Sequence, residues 1–235
     1  MILMIPKKIH YCWFGRNPKG ELIERCIQSW VEHNPEYEVI EWNEENFDVN
    51  AHPFTKRMYS QKKWAFVADY ARFVVLEKQG GWYLDTDMFV VRPLHGLSKH
   101  EVVLGEETPG IVNAAAMGAR PGHPYIKACR QFYDKNPNVI ITVPRAMTKV
   151  LSAFTSDTSI LILPPIAFYP YTQENIASFD PKSLTNKTYG VHMWNYSWGH
   201  PLFRYFHRFP LYHKLKRIPG TKALKEGVKR LFGMA

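Results

Sequence analysis

Cysteine is scarce in this chain: three in 235 residues. Cys12, Cys26 and Cys129 are scattered and never form a C-x-x-C pair. That argues against a disulfide framework or a zinc site and points to a reducing compartment. Long apolar runs are also missing, since no stretch approaches the roughly 20 residues of a membrane-spanning helix. Met1–Pro6 puts a short apolar run before Lys7-Lys8, the reverse of a signal peptide's order, so a cytosolic protein without a leader is expected. There is no internal repeat and no flexible linker. Acidic residues are nearly absent from one region. Residues 200–235 carry nine Lys/Arg against the single acid Glu226, whereas the rest is close to neutral within a net charge of +9. An apolar content of 46% excludes disorder as the main state, and 235 residues suit one sizeable α/β domain better than two.

What is present is concentrated between Asp69 and Asp87, D-Y-A-R-F-V-V-L-E-K-Q-G-G-W-Y-L-D-T-D. Trp64 to Gln79 has helix length, no internal Gly or Pro, and apolar residues almost all round, which predicts a buried helix. Asp69 and Arg72 interrupt it at i,i+3 spacing, so both project from one face. Gly80-Gly81 stops the helix. Trp82–Leu84 reads as a short buried strand running into Asp85-Thr86-Asp87, whose two carboxylates at strand spacing share a side. Two hard carboxylates aimed at one point suit Mg²⁺ or Mn²⁺, commonly shared with substrate phosphates. Taken singly, a D-x-D is usually a surface turn, and a buried Asp-Arg pair is usually structural. The order of the pieces carries more weight, because it sets the pair and the carboxylates at one sheet edge, where open α/β folds bind ligands.

Around this centre, Lys8–Phe14, Glu21–His33 and Glu38–Trp42 read as strand, amphipathic helix and strand, a β-α-β opening that predicts a parallel pair. Trp13 at the end of the first strand can stack on a base, and equally can be a core aromatic. Met88–Val91, Val102–Gly105, Ile111–Gly118 and Ile160–Leu163 are expected strands. His123–Tyr133 and Arg145–Phe154 are expected helices. In Val191–Trp198, His192 can supply an imidazole ligand to a carboxylate-held metal, while Ser197 and Trp198 can donate hydrogen bonds to a diphosphate. A His amid aromatics is also a common core residue.

The segments A-F-V-A-D-Y-A-R, G-G-W-Y-L-D-T-D and I-P-K-K-I-H-Y-C-W-F-G resemble glycosyltransferase family 32, whose members include bacterial capsular and lipopolysaccharide transferases, yeast Golgi mannosyltransferases and relatives among the glucosylating toxins. Weaker similarity continues to about residue 200. The resemblance implies a GT-A-like α/β fold with a mostly parallel central sheet flanked by helices. It implies transfer, with retained anomeric configuration, from a nucleotide-sugar such as a UDP-sugar to a saccharide acceptor. Asp87 and His192 would then hold Mn²⁺ or Mg²⁺, with Asp85 on the metal or the ribose. Asp69 and Arg72 would grip the sugar, Trp13 would stack on the base, and Tyr83, Asn113, Ser197 and Trp198 would contact the donor. The family's Gly-Pro ahead of the second late helix is Val143-Pro144 in this chain, a departure that leaves acceptor contacts there unassigned.

The tail at 201–235 interleaves Leu202, Phe203, Tyr205 and Phe206 with Arg204, His207 and Arg208, then sets Leu224, Val228, Leu231 and Phe232 on one helical face. A basic, aromatic, amphipathic segment suits an anionic membrane surface, each basic residue adding about 1 kcal/mol. The expectation is a catalytic domain at 1–200 and a membrane-seeking tail on a cytoplasmic enzyme that acts on a lipid-linked acceptor in cell-surface polysaccharide synthesis. The alternatives are a metal-dependent nucleotidyltransferase and a non-catalytic membrane or nucleic-acid binding protein. For the tail, the structural alternative is a solvated helix whose apolar stripe packs on the domain, and nucleic-acid binding comes third, since no reading module is recognisable.

Overall fold

The structure is a computed structural model that describes residues 5–195. The tail at 201–235, Ser197 and Trp198 lie outside the described residues. The chain opens as β1 (Lys8–Cys12), α1 (Glu21–His33) and β2 (Glu38–Trp42), followed by α2 (Pro53–Ser60) and α3 (Trp64–Gln79). Then come β3 (Gly81–Leu84), β4 (Met88–Val90), β5 (Val102–Thr108), β6 (Ile111–Ala119), α4 (Pro124–Lys135), α5 (Val143–Leu151), β7 (Ile160–Leu163) and β8 (Gly190–His192). Six strands form one sheet in the order β2-β1-β3-β6-β5-β7. β1 pairs parallel with β2 and with β3, and β5 pairs parallel with β7; only β6 runs the other way. β1 and β2 are the parallel pair that the opening β-α-β unit predicts, and the sheet as a whole is mostly parallel, as the family resemblance implies.

Apolar side chains cover both faces of the sheet. One face packs Phe54, Met58, Val67, Phe73, Leu76, Tyr125 and Met147 from the helices. The other packs Ile9, Trp30, Trp82, Leu84, Met88 and Phe168. Each large apolar side chain taken fully out of water contributes about 1.5–3 kcal/mol, so these two layers dominate the stability. α3 is buried on most of its circumference, at Val67, Ala71, Phe73, Val75 and Leu76, as its nearly continuous apolar sequence requires.

The turn from α3 into β3 sets the geometry of everything downstream. Gly80 and Gly81 have φ of +62° and +98°, values that L side chains adopt rarely. A Cβ on Gly81 would also lie 2.8 Å from the Lys8 carbonyl oxygen. The tight turn folds α3 back antiparallel to β3, which brings the amino half of the helix over the carboxyl end of the strand. His10 on β1 locks this turn. Its Nδ1 accepts from Trp42 Nε1 at 3.1 Å, so Nε2 carries the proton and donates to the Gly80 carbonyl at 2.8 Å. Burial holds the imidazole neutral against the opposing pull of the Gly80 bond, with its pKa lowered from 6.5 to about 4. An unfolded chain therefore binds a proton that the folded one refuses between those values. Stability is full above about pH 6.5 and falls as pH drops toward 4, by roughly 3 kcal/mol over the window. Urea midpoints at pH 7 and 4.5 check this, and His10→Gln, which keeps both hydrogen-bonding roles, is expected to flatten the difference. An equal acid loss in the variant would assign the titration to other groups.

Several sequence expectations shift. β1 ends at Cys12, two residues short of Phe14, where Trp13 N–H makes the last bond across to β2, on the Trp42 carbonyl. The Asp85-Thr86-Asp87 segment is a turn rather than a strand continuation, closed by Met88 N–H to the Asp85 carbonyl at 2.9 Å. β4 does not extend the main sheet. It pairs antiparallel with β8 in a separate two-stranded sheet, Met88 opposite His192. α5 starts two residues early, because Pro144 occupies the first turn, where its missing N–H costs nothing.

Candidate active site

A cleft of about 1130 Å³ opens along the carboxyl edge of β1 and β3. Because β6 is antiparallel to β3, its amino end arrives at that same edge and adds Asn113 to the wall. Trp13, Asp69, Arg72, Tyr83, Asp85, Asp87, Asn113 and His192 all line this cleft. Ser197 and Trp198 are outside the described residues.

Arg72 is the hub. From the middle of α3 its Nη2 donates to Asp69 Oδ1 at 3.0 Å, one turn back, and its Nη1 donates to Asp85 Oδ1 at 3.1 Å, across on the turn after β3. Nη1 also bonds the Ala114 carbonyl, Nε bonds the Ala68 carbonyl, and the guanidinium carbon lies 4.4 Å from the centre of the Tyr83 ring. The i,i+3 spacing foretold the first contact. The bridge to Asp85 was not readable, because it depends on α3 lying over β3. Tyr83 is almost fully buried beneath Arg72, so its ring supports the guanidinium. Burial opposes the charge on Arg72, but Asp85 and Asp69 outweigh it and raise its pKa further. Burial pushes the Asp69 carboxyl up to about 7 despite Arg72.

The second group is Asp85, Asp87 and His192, each offering a ligand atom within 4.8 Å of the others. Asp85 is positioned by its main chain, whose N–H bonds the Ala115 carbonyl at 2.8 Å. Asp87 is fixed from two directions. α1 holds the next residue, Trp30 Nε1 donating to the Met88 carbonyl at 2.6 Å. The segment after β8 closes over it, with Met193 N–H on the Asp87 carbonyl and Asn195 N–H on Asp87 Oδ2 at 2.7 Å. His192 Nε2 lies 3.2 Å from Asp87 Oδ1, and its buried Nδ1 has no protein partner.

The electrostatics of this trio follow from crowding. Burial works to raise Asp87, yet the His192 imidazolium and the Asn195 amide hold its carboxyl below the usual value. Burial likewise opposes charge on His192, and Asp87 reverses the effect, raising the imidazole. Burial raises Asp85 against the pull of Arg72, and the neighbouring Asp87 charge adds to it. Two carboxylates and an imidazole converging this closely, with one ring nitrogen unpartnered, form a donor set that fits a divalent cation. Two contributors escaped the sequence reading. Asn195 acts through its backbone amide, which no side-chain pattern signals. Glu107 lines the cleft from β5, and Gly105 inside that strand was its only cue, the mark of a bulge.

Comparison with known proteins agrees with this geometry. Residues 20–105 match the family described as glycosyltransferase sugar-binding region containing DXD motif. Over 148 residues the chain is 31% identical to lactosylceramide 4-alpha-galactosyltransferase of Mus musculus, covering 55% of this chain and 40% of that protein. Over 138 residues it is 31% identical to inositol phosphoceramide mannosyltransferase 2 of Schizosaccharomyces pombe, covering 57% and 39%. The match thus spans well under half the length of these two relatives. Among solved structures, the PaToxG glycosyltransferase superposes with a TM-score of 0.53 at 17% identity, over 65% of this chain and 70% of that one. The galactosyltransferase LgtC, in complex with donor and acceptor sugar analogs, superposes with a TM-score of 0.50 at 12% identity, over 91% and 98%. In its fold the chain is a GT-A protein, and over residues 20–105 it is similar to the glycosyltransferase sugar-binding region that contains the DXD motif.

Proposed function

We propose that this protein transfers a sugar from a nucleotide-sugar, such as a UDP-sugar, to a saccharide acceptor, with a divalent metal at Asp85, Asp87 and His192. The observation that carries the reading is the convergence of those three side chains beside the Arg72–Asp69 pair in one cleft. A metal there neutralises the diphosphate leaving group electrostatically. The mixed oxygen and nitrogen donors lean toward Mn²⁺ over Mg²⁺. Trp13 offers a ring for the base, and Asp69 and Arg72 offer a carboxylate and a guanidinium N–H for sugar hydroxyls. Retention of the anomeric configuration is the outcome the family resemblance implies. Two of the relatives are named for lactosylceramide and inositol phosphoceramide, which supports a lipid-linked acceptor. The test is a screen of nucleotide-sugars with Mn²⁺, reading release of free nucleoside diphosphate. Pyrophosphate release would favour a nucleotidyltransferase instead, and no release from any donor would overturn the reading.

The basic tail, in this reading, holds the enzyme at the inner face of an anionic membrane, where its part in cell-surface polysaccharide synthesis would lie. Full-length protein is expected to co-sediment with anionic vesicles at low salt and to release at high salt, because screening weakens charge attraction. Equal pelleting with neutral and anionic vesicles, or none, would count against it.

A further inference from the structure

We infer that Glu107 is the acceptor-binding carboxylate of the cleft, braced by Asn113 to take hydrogen bonds from the hydroxyls of a neutral saccharide. The inference rests on the transferase reading above and deepens it. Glu107 sits where the β5–β6 ladder is irregular. Glu106 pairs with Val112 and Thr108 with Ile111, so Glu107 has no partner of its own across the hairpin. Bulges of this kind re-aim a side chain, and here the carboxylate joins the cleft wall. The neighbouring acid, Glu106, is used differently, accepting from Gly110 N–H within the hairpin turn.

Asn113 fixes the orientation of Glu107. Its Oδ1 accepts from Ala115 N–H at 2.9 Å, which turns its amide nitrogen toward Glu107 Oε2 at 2.6 Å. One carboxylate oxygen is thereby held and the other, Oε1, is left to a ligand. No Lys, Arg or His among the described residues makes an ion pair with Glu107, whereas Asp69 and Asp85 share Arg72, and Asp87 pairs with His192. A partly exposed, braced carboxylate with no ion pair of its own, though within the electrostatic reach of His192, repels phosphate and accepts from hydroxyl groups.

The strand order assigns the hydroxyls to the acceptor. Along the cleft edge β1 brings Trp13, β3 leads into Asp85 and Asp87, β6 brings Asn113, and β5 brings Glu107. A donor with its base at Trp13 and its diphosphate at the carboxylates occupies β1 to β3. Glu107 lies beyond it on the far side of β6, where the second substrate has room. Val143 and Pro144 line the same cleft from the start of α5 and offer apolar surface to a sugar ring.

The experiment compares full-length wild type with Glu107→Gln, using the nucleotide-sugar that wild type hydrolyses fastest with Mn²⁺ and the acceptor probes lactose, maltose and chitobiose. Glutamine keeps an oxygen for Asn113 but turns an NH₂ toward the substrate, where a hydroxyl needs an acceptor. The ratio of sugar transferred to sugar hydrolysed is expected to fall about ten- to a hundredfold, with a raised acceptor KM and a donor KM moved less than threefold. Glu106→Gln, in the hairpin turn, is expected to leave the ratio as it is. An unchanged ratio in Glu107→Gln overturns the inference, as does a donor KM that rises in step with the loss. A wild type that hydrolyses donor but glycosylates none of the three probes also overturns it. A wild type that releases no nucleoside diphosphate from any donor instead overturns the transferase reading beneath it.

Discussion

Asp87→Asn is expected to lower sugar transfer and donor hydrolysis together by two to four orders of magnitude, roughly the range seen when a preorganised electrostatic contact to a leaving group is lost. Asparagine keeps the shape and an oxygen for the Asn195 amide, so the turn should survive. What disappears is one of two carboxylate charges, together with the ion pair to His192. Mn²⁺ affinity, read by calorimetry, should fall in parallel, while the urea midpoint should change far less than activity does. Wild-type turnover in this variant, or full activity of the wild type in excess chelator, would end the metal reading.

Arg72→Met is expected to have the largest effect on stability of any single change in the cleft, about 3–5 kcal/mol, because it removes one member of a buried ionic group and leaves the others uncompensated. Asp69 and Asp85 would face each other with no cation, and the Ala68 and Ala114 carbonyls would each lose a donor. Asp69→Asn separates scaffold from substrate grip. The amide oxygen still accepts from Arg72, so the fold should hold, nucleoside-diphosphate affinity should persist, and turnover should drop at least tenfold. A large loss of melting temperature with normal kinetics in the folded fraction would instead make the pair purely structural.

The parts of the chain legible from sequence were those with long, unambiguous periodicity. α1, β2, α3 and β7 begin and end where their apolar pattern and flanking Gly, Pro or Asn say. α2 was missed because Pro53–Ser60 spans only two turns, and its signals, a histidine cap at His52 and a proline in the first turn, are individually weak. β8 is three residues long and exists only because β4 pairs with it. In the cleft, those residues picked from the sequence that the structure describes come together, but the reason was only half visible. Asp85 and Asp87 converge through a turn held by the Ala115 carbonyl and the Asn195 amide, not through strand alternation. Main-chain groups have no side-chain identity to read, so the scaffolding of the cleft is quieter in the sequence than its chemistry.

The closure of the segment after β8 over Asp87 has a consequence for the timing of synthesis. The carboxylates emerge from the ribosome early, but the Asn195 amide that bonds Asp87 is 108 residues further on. A nascent chain halted before Gly190 carries the whole D-x-D segment yet lacks both His192 and that amide. Contacts so distant in sequence form late, once the intervening loops have been closed. The cleft is therefore among the last parts of the domain to assemble, and activity should report on completed folding in a way that helix content, set largely by α1 to α5, does not.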